Sequence, residues 1–60
     1  MVTGKELIKI LKKDGWKLDR INGSHHILKK DDKTITVPVH SNKDIPNGTY
    51  NAILKQAGLK

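Results

Sequence analysis

The first quarter of the chain has the apolar pattern of an amphipathic helix. Thr3 stands three residues before Glu6, which is the spacing of a capping box at a helix start. At about 100° per residue the apolar positions that follow fall within one arc: Leu7, Ile8, Ile10 and Leu11. We expect this helix to end near Lys13 or Asp14, because Gly15 can adopt the left-handed conformation that closes a helix.

The middle of the chain alternates apolar and polar residues, which is typical of half-buried strands. Trp16 and Leu18 alternate with Lys17 and Asp19, and the dipeptide Asn22-Gly23 is a strong hairpin signal. A return strand over residues 24–30 and a polar turn over residues 31–33 are therefore expected.

A third strand and a second helix complete the pattern. In residues 34–39 the apolar side chains Ile35, Val37 and Val39 alternate, while Pro38 cannot donate to a strand ladder and marks an edge or a strand end. A loop is expected over residues 40–43, and a helix is expected to begin near residues 44–46. Its expected core face and its end are formed by Tyr50, Ile53, Leu54, Ala57, the terminating Gly58 and the returning Leu59.

The resulting order of helix, three antiparallel strands and helix predicts an α+β fold. In so small a chain both helical stripes can be buried only against one face of the sheet, which leaves the other face in water. This αβββα order is that of the double-stranded-RNA-binding domain, an arrangement that does not by itself assign a function.

Size and composition limit the kind of protein further. With 60 residues the chain predicts one domain over residues 1–60 with a thin core and little room for a deep cleft. It has no cysteine, so we expect no disulfide or thiolate metal cluster, and the cytoplasm is the expected location. No apolar segment reaches the roughly 20 residues of a membrane span, and the lysine-rich start does not resemble a signal peptide.

The charge balance favours a polyanionic partner. The net charge is +6 and the pI is about 9.9, which suits nucleic acid better than an anionic membrane surface. Four lysines of the first helix lie opposite its apolar arc and could contact phosphates or simply form a solvated face: Lys5, Lys9, Lys12 and Lys13.

Two adjacent histidines form the most unusual feature, since histidine changes charge near neutral pH. Side chains alternate across a strand, so His25 and His26 point to opposite faces and cannot share a metal ion. We predict that His26 faces inward with Leu28 and that His25 is exposed, although a bulge after Gly23 would exchange the two faces. No metal or cofactor is expected.

An exposed histidine on a cationic surface can catalyse phosphodiester transfer in RNA. The substrate's own 2′-hydroxyl is the nucleophile, so the protein needs to supply only proton transfer and charge stabilisation. Trp16 and Tyr50 are both expected in the core. With aromatic residues at 3% of the chain, recognition of bases by stacking is not supported.

Four segments resemble the HicA-type mRNA interferase toxins of toxin-antitoxin systems, and the resemblance extends over nearly the whole chain, from residue 6 to residue 59: ELIKILKKDGW, NGSHHIL, TITVPVH and KDIPNGTYNAILKQAGL. The resemblance implies a domain of the double-stranded-RNA-binding type that cleaves messenger RNA without metal and stops translation and growth. It also implies an antitoxin partner of the HicB type that covers the active histidine.

The resemblance also implies roles for particular residues. The family's active histidine follows Gly-Ser and falls on His25, while the motif Gly-Ser-His-His keeps His26 open as an alternative. Gly23 and Ser24 would shape the turn that presents this histidine, and Ser24 could bond to a phosphate. Besides the four lysines of the first helix, the candidate RNA contacts are Lys29, Lys33 and Lys43.

Two other functions fit the same residues. The chain could be a non-catalytic RNA-binding module, or a domain whose positive surface docks an acidic partner protein. His40, in the loop after the third strand, could assist as a second acid or could simply be solvated.

Overall fold

The order of elements is the one that the sequence pattern predicts. The computed structural model describes residues 2–41 and 43–60, so one residue of the predicted loop, Asn42, lies outside the described part. The elements are α1 (Gly4–Lys13), β1 (Lys17–Asn22), β2 (His25–Lys30), β3 (Lys33–Pro38) and α2 (Asn47–Gln56). The three strands form one antiparallel sheet in the order β1-β2-β3, which confirms the αβββα fold.

Helix α1 begins with the predicted capping box. The backbone N–H of Glu6 donates to the hydroxyl of Thr3 at 3.3 Å, and the N–H of Thr3 donates to the Glu6 carboxylate at 3.2 Å. The Thr3 hydroxyl also donates to the Glu6 carboxylate, at 3.1 Å. The backbone bond from Thr3 and, to a smaller extent, this hydroxyl bond stabilise the charged carboxylate and lower the pKa of Glu6. This contribution to stability is therefore present above the ordinary pKa of glutamate and is lost as the pH falls through the lowered value.

Both helices end in the same way, at a glycine. Gly15 and Gly58 have φ values of 99° and 75°, in the left-handed region that glycine adopts at low cost. The N–H of the next residue in each case, Trp16 or Leu59, donates to a carbonyl of the last turn, that of Leu11 or Leu54, at 3.0 and 2.9 Å. These are Schellman motifs, and they confirm both predicted helix ends.

The core lies between the helices and one face of the sheet. Its ten buried side chains include Leu7 and Leu11 of α1, Leu28 of β2 and Trp16, and Tyr50 packs against them half-buried. The remaining members are Ile8, Ile35, Val37, Ile45, Ile53 and Leu54.

Strand β1 is less covered than the alternation predicted. Of the three strands, β3 makes the most extensive contact with both helices, so the helix layer lies mainly over β3 and leaves β1 less covered. Leu18 and Ile21 face the helix side by register but remain 40% and 56% exposed. The prediction of a half-buried first strand was therefore wrong, because every residue of β1 is exposed.

A close approach fixes the start of α1 against the end of β3. Gly4 is buried, and a Cβ atom at this position would lie 2.6 Å from the carbonyl oxygen of Pro38 and 2.9 Å from Cγ2 of Val39. The backbone oxygen cannot turn away as a side chain could, so a larger residue must displace the helix from the strand.

We expect Gly4→Ala to lower the free energy of unfolding by about 1 to 3 kcal/mol, the usual cost of overpacking. Urea denaturation followed by circular dichroism measures this change. Gly48→Ala is the matched control, since Gly48 also lies in the first turn of a helix but has no atom within 4 Å of its Cβ position. That control should be neutral or stabilising, and equal losses in both variants would contradict the steric argument.

Candidate functional site

The exposed histidine lies at the start of the middle strand, directly after a tight turn. Gly23, with φ of 61°, and Ser24 form a two-residue loop between the paired residues Asn22 and His25. A glycine with positive φ at the first loop position is the arrangement of a type II′ turn. Gly23 thus needs the freedom of glycine here, and the turn brings His25 to the corner of the sheet.

The two histidines lie on opposite faces, as predicted. His25 is exposed, and it shares its face with Ile27 and Lys29, away from the helices. His26 shares the helix-side face with the buried Leu28 and is half-buried, and its Nδ1 atom is buried without a hydrogen-bond partner. Of the two rings, only that of His25 is freely accessible to a large substrate.

A bulge in β1 adds an arginine to the face of His25. Leu18 pairs with Leu28, whereas Arg20 pairs with Ile27, so Asp19 is an extra residue in the ladder. The shift moves Arg20 from the helix side to the outer face, two pairs along the ladder from the pair of Asn22 and His25. Diagonal neighbours of this kind lie about 7 to 8 Å apart, within reach of a long side chain.

Sequence reasoning missed Arg20, although a signal for it was present. Leu18 and Ile21 are both apolar but three residues apart, so strict alternation would place them on opposite faces. Both can face the helix side only if the strand contains one extra residue, and that residue moves Arg20 to the outer face.

The outer face of the sheet is positively charged along its length. Lys17 and Lys29 are paired on this face and exposed. At about 3.4 Å per residue, Lys29 lies about 14 Å along β2 from His25. We call the surface formed by Lys17, Arg20, His25 and Lys29 the outer-face site.

The structure separates the other candidate lysines. The four on α1 (Lys5, Lys9, Lys12 and Lys13) are exposed on the helix layer, on the opposite side of the sheet from His25. Lys33 pairs with Lys30 at the far end of the sheet. Lys43 is closer to His25, because its N–H donates to the carbonyl of His40 at 3.0 Å, just beyond the end of β3.

One further lysine has a structural contact. Nζ of Lys30 donates to the backbone carbonyl of Asp14 at 2.6 Å and to its carboxylate at 3.3 Å. A cation at this position satisfies a carbonyl at the end of α1 and complements the helix dipole. Lys30 therefore connects α1 to β2 and lies away from the outer-face site.

Neither an exposed Trp16 ring nor a cluster of potential metal ligands is found among the described residues. Trp16 is 2% exposed, so its ring is not available to a base. Within residues 2–41 and 43–60 no three side chains of His, Cys, Asp or Glu converge as a metal site would require. Neither described helix has the length and apolar character needed to cross a bilayer.

Comparison with known proteins identifies the family. A search of curated proteins returned no match. A family model described as the HicA toxin of bacterial toxin-antitoxin systems matches residues 4–59, a span that includes all five elements of secondary structure. The members of such systems act as a toxin and its cognate antitoxin. The chain therefore belongs to the HicA toxin family of bacterial toxin-antitoxin systems.

Proposed function

We propose that this protein is an endoribonuclease toxin that cleaves messenger RNA, with His25 as a proton-transfer residue. The observation that supports this most directly is the position of His25. Its ring is exposed at the corner of the outer face, and Arg20, Lys17 and Lys29 lie on the same face. An imidazole beside fixed cations suits a reaction that moves a proton while negative charge develops on a phosphate.

The chemistry uses a group that RNA itself provides. The 2′-hydroxyl attacks the adjacent phosphorus once its proton has been removed, and the bond to the 5′ oxygen of the next nucleotide breaks. The products are a 2′,3′-cyclic phosphate and a 5′-hydroxyl. This reaction needs no covalent enzyme intermediate, so a small exposed site can catalyse it if the phosphate is held in position.

The cations of the outer-face site would hold the RNA backbone. Arg20 lies at a diagonal position to His25, and its guanidinium can donate two parallel hydrogen bonds to a phosphate. Lys17 and Lys29 extend the positive surface along the sheet, and Lys43 adds a charge beyond the end of β3. The lysines of α1 face the other way, so they would contact the same RNA only if it wrapped around the domain.

The antitoxin would act by covering this surface. A partner of the HicB type that placed acidic side chains over Arg20 and Lys29 would block His25 and compete with RNA for the same cations. The long-range charge of +6 would speed association with such a partner.

A cleavage assay with purified protein tests the proposal. In excess chelator, the protein should cut single-stranded RNA and leave 2′,3′-cyclic phosphate ends, which mass spectrometry identifies. RNA with 2′-O-methyl groups is the control, because it lacks the nucleophile and should remain intact. Cleavage of the methylated RNA, or a requirement for metal, would contradict this chemistry. Binding without cleavage would favour a non-catalytic RNA-binding module.

A further inference from the structure

The proposed cleavage requires two proton transfers in the same displacement, and His25 can perform only one of them. One group must take the proton of the 2′-hydroxyl, and another must give a proton to the departing 5′ oxygen. These oxygens lie on opposite sides of the phosphorus in an in-line displacement. A second proton-transfer group should therefore lie one phosphate group away from His25, on the same face.

The backbone pairing extends past the end of β3 and locates such a group. The N–H of Val39 donates to the carbonyl of Ser24 at 2.7 Å, which continues the register in which His25 pairs with Pro38. Val39 therefore lies opposite Ser24, and His40 is the next residue along the chain, at the end of the sheet that carries the turn of Gly23 and Ser24.

The same alternation gives the direction of the His40 side chain. Val39 points to the helix side, since its Cγ2 lies 2.9 Å from the Cβ position of Gly4 in α1. The residues before and after it, Pro38 and His40, therefore point to the outer face, where His25 lies. His40 is exposed.

The separation of the two histidines suits a bound phosphate. His40 is two residues beyond Pro38, the cross-strand partner of His25, so it is a diagonal neighbour at about 7 to 8 Å. Imidazole side chains on residues this far apart can each reach an oxygen of a phosphodiester placed between them. The backbone of His40 is held on both sides, by the Val39 bond before it and by the 3.0 Å bond from Lys43 to its carbonyl after it.

Two cations lie near this pair. Arg20 approaches from β1 at the other diagonal position of His25, and Lys43 lies in the turn after His40. His26 belongs to the helix-side face and is not part of the pair. The surroundings therefore favour a bound anion between the two rings.

We propose that His40 is the second proton-transfer residue of the cleavage centre, an inference that rests on the proposed function. One of His25 and His40 takes the 2′-hydroxyl proton while the oxygen bonds to phosphorus. The other protonates the 5′ oxygen while its bond to phosphorus breaks. Each product carries its full complement of protons, and exchange with solvent restores the starting protonation of both rings.

Enzyme kinetics on a short fluorescent RNA test this assignment. His40→Ala should lower kcat by about 10²-fold or more with little change in KM, because a proton-transfer group contributes mainly to the transition state. His40→Gln should show the same loss, since glutamine can donate a hydrogen bond but cannot exchange the proton. Both variants should keep the wild-type melting temperature, as His40 is exposed.

The dependence on pH and on the leaving group separates proton transfer from a merely structural role. Wild-type kcat/KM should follow a bell-shaped pH profile, and each single-histidine variant should lose one limb of the bell. With a nitrophenyl ester of a nucleoside 3′-phosphate the leaving group needs no proton. The variant that lacks the acid should then recover most of its activity, and the variant that lacks the base should not.

Different failures overturn different statements. In one outcome the wild-type protein cleaves RNA and His25→Ala does not, but His40→Ala cleaves within about threefold of wild type and keeps both limbs of the pH profile. His40 then has no proton-transfer role, and the proposed function is unaffected. Full activity of His40→Gln beside an inactive His40→Ala would show that only a hydrogen bond is needed, which also overturns the assignment. If the wild-type protein cleaves no RNA, both proposals are wrong.

Discussion

An alanine at position 25 is expected to lower the rate of RNA cleavage by roughly 10²- to 10⁴-fold, the usual contribution of one positioned proton-transfer group. The loss should appear in kcat, because the cations of the outer-face site, Arg20, Lys17 and Lys29, remain and continue to bind the substrate. The His25 ring is exposed, so the free energy of unfolding should change by no more than about 0.5 kcal/mol. Single-turnover cleavage and thermal melting of the same preparation measure both quantities.

Chemical rescue makes this prediction sharper. Because the ring lies on an open face, free imidazole in the buffer can enter the space that His25→Ala creates and restore part of the rate. Thr34→Ala is the matched control, since Thr34 is exposed and shares the outer face but cannot transfer a proton near neutral pH. Its activity should stay within about threefold of wild type. Wild-type cleavage by His25→Ala would exclude His25 from the mechanism.

The competing assignment to His26 has its own signature. The His26 side chain lies on the helix side and is half-buried, so we expect His26→Ala to affect activity through a loss of stability. If His26→Ala abolished cleavage without changing the melting temperature, and His25→Ala did not, the active histidine would be His26.

Local signals in the sequence were sufficient for most of the fold. The start of α1 depends only on the capping box of Thr3 and Glu6, and the C-terminal end of each helix depends only on the nearby Gly15 or Gly58. These positions could therefore be predicted without knowing the rest of the molecule. Pro38 was also interpreted correctly, because a missing N–H is tolerated at the last residue of an edge strand.

Features that depend on how the layers meet could not be predicted in the same way. The helix layer lies over β3 more than over β1, and nothing local to Leu18 reports that its side chain remains 40% exposed. The lysines of α1 and His25 were both candidates for RNA contact, but they lie on opposite sides of the sheet. Whether these lysines and His25 lie on the same side depends on which face of the sheet the helices cover.

The outer-face site illustrates both kinds of information. His25 and Leu28 are three residues apart in β2, so their side chains point to opposite faces, and the exposure of His25 followed from the burial of Leu28. That relation lies within one strand. The position of Arg20 on the same face depends on the bulge at Asp19, because the extra residue reverses which face the later side chains of β1 point to. The likeness to a family implied the role of His25, whereas the register of the strands placed Arg20 on the same face.

The largest loss of stability is expected for Leu28→Ala. Leu28 has no exposed surface, lies in the middle strand and pairs with Leu18 and Ile35 on the helix side. Replacing a buried leucine by alanine costs about 2 to 5 kcal/mol, through lost burial and the cavity that remains. A folded chain of 60 residues is expected to have a total stability of about 3 to 9 kcal/mol. The loss is therefore a large share of the total stability, and the unfolded fraction at 37 °C should rise well above that of the wild type.

Ile27→Ala is the matched control for this prediction. Ile27 precedes Leu28 in the same strand, but its side chain is half-buried on the outer face, away from the core. Its loss should be clearly smaller, by at least about 1 kcal/mol, because less surface is uncovered and no closed cavity forms. Urea titrations of both variants decide the question. If the two losses were equal, stability would not depend on the helix-side core. Leu28→Ala should lose cleavage together with structure, whereas His25→Ala should lose cleavage alone.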